Sequence, residues 1–179
     1  MLYYLSFPLF VYPVIYLFRR KLRLWGQFGF RLGNRVGRRF RRRGPGIGGL
    51  GAGVRLCRSG SSLGEDLCTV HITFNKGFHT SLSLCADTAL LARMARNALG
   101  EENLTSRDLE DFGKEYFNIL CGKIAAVLFR NTKVPARFSV PSFYHGRYTP
   151  EDYRTQFMLT YADEHQEGAQ LLHHVPQPR

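Results

Sequence analysis

Acidic residues are missing from the first third of this 179-residue chain: residues 1–58 hold 13 Lys/Arg and no Asp or Glu. That absence means the formal net charge of +11 does not describe the whole protein, because 12 Lys/Arg face 14 Asp/Glu from Ser59 onward, a balance of −2. A basic arm is therefore joined to a slightly acidic remainder, and partners must be argued for each part separately. Cysteine is also scarce. Cys57, Cys68, Cys85 and Cys121 match no CxxC zinc or redox spacing and no small secreted framework, so they read as reduced, mostly buried thiols. The length is too short for a β/α-barrel enzyme. A content of 44% apolar and 13% aromatic residues, in turn, excludes a wholly disordered or collagen-like chain.

Three stretches can be delimited. Residues 1–24 contain the uncharged run Leu2 to Phe18, at the lower limit of what crosses a hydrocarbon layer as a helix, with Pro8 and Pro13 inside it. Arg19, Arg20, Lys21 and Arg23 follow this run rather than precede it, an order that favours a retained membrane anchor over a cleaved signal peptide and leaves the domain on the inner face of the cell membrane. Residues 25–65 form an Arg/Gly-rich linker with six glycines between Gly44 and Gly53. Such a segment suits a membrane-proximal tether better than a specific nucleic-acid contact. The abrupt change of composition near Ser61 equally fits a start codon assigned too far upstream. The glycines from Gly46 onward follow no strand and precede no helix, so they form no dinucleotide fingerprint.

Residues 66–176 read as the globular domain. Cys68 to Phe74 and Phe78 to Cys85 form a β-hairpin around Asn75-Lys76-Gly77. Asp87 is placed to cap a helix from Thr88 to Leu99, which Gly100 ends in a left-handed conformation. A second helix starts near Thr105-Ser106, carries Asp108, Glu110 and Asp111 near its positive end, and continues to about Phe129. Strands follow at Arg137 to Val140, Tyr153 to Tyr161 and Gly168 to Val175, with a loop through Gly146 to Pro150. The class is α+β, an antiparallel β-sheet covered by two main helices and preceded by an irregular basic arm. Edge strands around Phe138 or Met158 would permit a homodimer through the sheet.

Along the second helix, Leu109, Gly113, Tyr116, Leu120, Ile124 and Val127 gather on one side, expected to face the core. Asp111, Glu115, Asn118, Gly122 and Ala125 line the opposite side. Only small residues follow Glu115 and Asn118 on that line, so another protein's surface can approach the backbone there. Cys121 has no base near it in sequence and reads as a buried thiol rather than a nucleophile. His79 and His145 read as strand and loop residues. His173 and His174 point to opposite faces of a strand and cannot jointly grip a metal, so no metal site is expected.

The run ADTALLARMARNALG, then LTSRDLEDFGKEYFNILCGKIAAVLF, then Pro141 and Gly146, resembles the CheX/CheC family of chemotaxis phosphatases, and its CheX branch most of all. The family hallmark is a helical E-x-x-N with a glycine shortly after it, present here as Glu115-Tyr116-Phe117-Asn118 with Gly122. Its setting adds specificity: an acid-rich helix start, a strand leading into Asp87-Thr88-Ala89, and a later strand ending in proline. A second E-x-x-N is absent, as in single-site members. Family members usually begin with an amphipathic helix and a short strand, which residues 1–65 do not supply in recognisable form.

The resemblance implies a CheC-like fold and hydrolysis of the aspartyl phosphate on a CheY-like response-regulator receiver. It implies Asn118 and Glu115 as catalytic residues, with Asp111 and Gly122 as partner contacts. It also implies no cofactor in this chain, since the Mg2+ of such a reaction belongs to the receiver. The competing expectation is a non-catalytic CheX-like module that binds a receiver or serves as a membrane-tethered interaction module.

Overall fold

The computed structural model describes residues 57–58, 63–163 and 165–177. The apolar run and most of the Arg/Gly-rich stretch lie outside the described residues. Among the described residues nine elements follow one another: β1 (Cys57–Arg58), β2 (Leu67–Lys76), β3 (Thr80–Asp87), α1 (Thr88–Leu99), α2 (Ser106–Thr132), β4 (Arg137–Phe138), β5 (Ser142–His145), β6 (Tyr153–Ala162) and β7 (Gly168–Pro176). All strands join one antiparallel sheet in the order β1-β6-β7-β3-β2-β4, with β5 also paired to β2. The expected α+β class with two helices on an antiparallel sheet is what forms. No helix among the described residues is long and apolar enough to cross a membrane.

The hairpin of β2 and β3 turns where Gly77 adopts φ +86°, and a Cβ there would come within 2.4 Å of the Pro135 carbonyl oxygen. Glycine is thus required twice over, by backbone conformation and by space. The β3–α1 junction differs in detail from expectation. Asp87 occupies the N-cap position but makes no side-chain cap bond. Its carboxylate instead accepts from the Gly64 and Gly168 amides, tying the approach to β2 and the start of β7 to the same corner. At the other end of α1, Gly100 takes the left-handed cap at φ +72°.

Alternation along the strands sends Cys68, Val70, Ile72 and Phe74 of β2, with Leu82, Leu84, Leu159 and Leu171, to the face covered by α1 and α2. The other face carries Thr69, His71, Ser81, Ser83, Cys85, Gln170 and His174, all buried. Arg93 of α1 pairs with Asp163 and Glu167, which pins the β6–β7 connection to the helix layer.

Three expectations need correction. The stretch Ser142–His145 is a strand, β5, lying against the edge of β2 beside β4. The strand expected over Arg137 to Val140 stops at Phe138. Finally, Cys57–Arg58, inside the stretch read as linker, pairs with the end of β6. Among the described residues, β4 and the portion of β6 before Tyr161 form margins of the sheet, so the two edges named from sequence are edges. Met158 is half exposed there, whereas the Phe138 ring packs edge-on against Phe74.

Candidate functional site

The site is built on α2, and its N-terminus fixes where the helix phase begins. The Thr105 side chain accepts from the Asp108 amide, while the Asp108 carboxylate accepts from the Thr105 amide, a reciprocal capping box. The Thr105 hydroxyl, which donates to the Asp108 carboxylate, and then the Thr105 amide hold that carboxyl below the usual carboxylate range. Lys133 in a left-handed conformation ends the helix 27 residues later.

Rotation about the helix axis is set by packing. Leu109, Gly113, Phe117, Cys121, Ile124 and Leu128 are the buried residues. The expected core line through Tyr116, Leu120 and Val127 is therefore displaced: those three flank the core partly buried, and Phe117, Cys121 and Leu128 occupy its centre. The close approach responsible is at Gly113, where an added Cβ would lie 3.2 Å from the Phe143 ring of β5 and 3.3 Å from Leu91 of α1. Both neighbours press against that one position, so α2 turns its narrowest point toward them.

The outward line survives this shift except at Ala125, which is partly buried against the core. Asp111, Glu115 and Gly122 are exposed, Asn118 is half-buried, and an added Cβ at Gly122 would meet nothing within 4 Å. Neither Glu115 nor Asn118 has a hydrogen-bond or ion-pair partner among the described residues. The four residues singled out from sequence thus lie together on one open line, with a carboxylate and a carboxamide one turn apart. No described side chain competes for either group.

Beside this line, Lys114 is paired with Glu110 one turn earlier, which lowers the Glu110 carboxyl pKa. Lys114 is thereby engaged with Glu110 and not with Glu115. Sequence reasoning passed over Phe129, which is 48% exposed. It stands about 16 Å along the axis from Asn118 and about 20° away in azimuth. The i, i+11 spacing carried that signal and only the apolar character concealed it.

Other candidate groups are withdrawn from chemistry by burial. Cys121 is wholly buried and its thiol is pushed well above its ordinary value, so it is no nucleophile. Cys68 is likewise raised to about 12 by burial. Among the described residues, Cys68, Cys85 and Cys121 are free thiols, and no group of three His, Cys, Asp or Glu side chains can hold a metal. His173 and His174 point to opposite faces, bonding Thr80 and Ser83 respectively. His79 and His145 are exposed on a turn and on β5.

Comparison with known proteins identifies a family for this chain. Its model, Chemotaxis phosphatase CheX, matches residues 68–160, just over half of the chain. Among solved structures, chemotaxis protein CheX from Vibrio vulnificus aligns at 16% identity and TM-score 0.54, over 67% of this chain and 82% of that one. CheX from Desulfovibrio desulfuricans aligns at 18% identity and TM-score 0.49, over 66% and 80%. A complex of CheX with CheY, BeF3 and Mg2+ from Borrelia burgdorferi aligns at 10% identity and TM-score 0.49, over 86% and 98%. No curated protein matches the chain.

Proposed function

The chain belongs to the CheX family of chemotaxis phosphatases, and we propose that it hydrolyses the aspartyl phosphate of a CheY-like receiver in the cytoplasm, using Asn118 and Glu115. The observation that carries this reading is the pair itself: two polar side chains, one turn apart on the open line of α2, with no partner among the described residues.

An acyl phosphate is already activated, so the catalyst must supply position rather than a strong base. The Asn118 carboxamide oxygen accepts a hydrogen bond from a water molecule, and its NH2 group donates toward a phosphoryl oxygen. The water oxygen then attacks phosphorus in line with the aspartyl oxygen, whose bond to phosphorus breaks. The receiver carboxylate is regenerated and both water protons leave on the phosphate, as H2PO4−. Glu115 pairs with a basic residue of the receiver and sets the register of insertion, while Gly122 lets the receiver backbone come close and Asp111 touches the rim. The divalent ion that offsets charge on the phosphoryl group is the receiver's own.

The test is Asn118→Ala against a phosphorylated CheY-like receiver, following phosphate release and, in parallel, the melting temperature. Release falls to the receiver's intrinsic rate while the melting transition stays in place, because the side chain holds nothing in the fold. Turnover equal to that of the unmodified protein rejects the reading. Tight stoichiometric binding of phosphoreceiver by the unmodified chain, with no release, selects the non-catalytic module instead.

A further inference from the structure

On the face of the sheet away from α1 and α2, five side chains form a continuous polar chain across all four long strands. His71 Nε2 lies 3.2 Å from Thr73 Oγ1, and His71 Nδ1 lies 2.9 Å from Ser83 Oγ. Ser83 Oγ lies 2.9 Å from His174 Nε2, and His174 Nδ1 lies 3.1 Å from Thr155 Oγ1. Ser83, on the central strand β3, is wholly buried, and His174 is 1% exposed. We propose that this chain is an acid-sensitive clasp holding β2, β3, β7 and β6 together, one that accepts a first proton without losing a bond and is forced open by a second.

The argument is a count of donors. With both imidazoles neutral, each has one N–H and one acceptor nitrogen, and the hydroxyls orient so that every link has a donor and an acceptor, all running one way. Adding one proton to His71 keeps the set complete. His71 Nδ1 donates to Ser83, Ser83 donates to His174 Nε2, His174 Nδ1 donates to Thr155, and His71 Nε2 now donates to Thr73. Adding a second proton to His174 aims both ring N–H groups at Ser83 Oγ. The buried serine proton then has no acceptor among the described residues, and two cations face each other with ring centres 6.1 Å apart.

No other group among the described residues relieves this conflict. Among the described residues, the titratable group against His71 is Tyr148, whose ring meets it edge-on at 5.1 Å from the turn after β5. His173, next to His174 but on the helix-covered face, is likewise pushed down to about 4 by burial and adds repulsion rather than relief. Arg147 is engaged with Gln170, and Cys85 and Gln170 sit in the next row of the sheet. Asp87 lies one row further on and is bonded to two amides. Helices α1 and α2 cover the opposite face. Burial moves both imidazoles in the same direction, down to about 4 from an ordinary 6.5, so each contributes stability above pH 6.5 that is lost as pH falls toward 4.

The proposal is independent of the function above and is tested on the full chain without a receiver. NMR titration of the assigned His71 and His174 rings, followed apart from His173, is expected to show a first protonation below pH 6.5 and a second at least about one pH unit lower, a tenfold penalty. Loss of sheet cross-peaks should accompany only the second. Ser83→Ala removes the shared oxygen and should narrow the separation, and His174→Gln, which keeps a bond to Ser83, should leave a single step at His71. Two independent titrations near pH 6.5, or a first protonation that already unravels the sheet, would overturn the clasp. So would two steps separated equally in the protein and in Ser83→Ala. The titration of the unmodified protein decides the matter even where a variant does not fold.

Discussion

Phe117 and Asn118 are neighbours in sequence, yet Phe117 is wholly buried against the sheet while Asn118 looks outward. The same contrast runs the length of α2. Gly113 has Phe143 and Leu91 at its Cα, whereas Gly122, nine residues on, has open space. One helix therefore obeys two selections: its inner line is fixed by what the sheet and α1 leave room for, and its outer line is free of any such demand. Residue types on the inner line are explained by packing. Those on the outer line answer to no packing demand among the described residues.

The sharpest way to break this comparison is at Phe117. Phe117→Ala removes a fully buried ring from the centre of the core and should cost about 3–5 kcal/mol, read as a lowered midpoint in urea unfolding. A cost below about 1 kcal/mol would mean that α2 is not seated as described. Next in size is Gly113→Val, which drives two methyl groups into the Phe143 ring and Leu91. It should destabilise by about 1–3 kcal/mol and loosen β5 from the helix, visible as faster amide exchange in β5.

Much of this arrangement was legible in the sequence, and the failures have physical causes. The β2–β3 turn, the span of α1 and its glycine cap follow from local chemistry at Gly77 and Gly100, where positive φ leaves few alternatives. The motif residues could be placed on one line because helical spacing alone fixes their mutual azimuth. The absolute rotation of α2 could not be read so well. Successive i, i+4 steps from Leu109 to Cys121 drift around the axis, and the deepest position is chosen by the contact of Gly113 with β5, a tertiary event. Strand β5 itself escaped notice because four residues between Pro141 and Gly146 are too few to show alternation. Its pairing with β2 is what defines it. The buried histidines of the second face were hidden for a related reason. Nothing in Thr69 to Thr73 or Gln170 to His174 announces that both faces of the central strands are shielded.

The smallest expected effect is the most diagnostic, because it reverses sign between fold and function. Gly122→Ala places a methyl group into open space in a helix interior, where glycine is disfavoured relative to alanine by about 1 kcal/mol. Urea unfolding should therefore show a gain of up to that size, in contrast to the loss at Gly113. If the outer line of α2 is the surface that meets a receiver, the same methyl group sits between the two backbones and should raise KM for the phosphorylated receiver severalfold. At saturating receiver kcat should change little, since Asn118 is untouched. A stability gain with unchanged KM would show that close approach at Gly122 is not part of docking, leaving the Asn118 chemistry intact but moving the contact surface toward Asp111 and the helix start. A stability loss would instead show that Gly122 is enclosed, and the distinction between the two faces of α2 would fail at its outermost point.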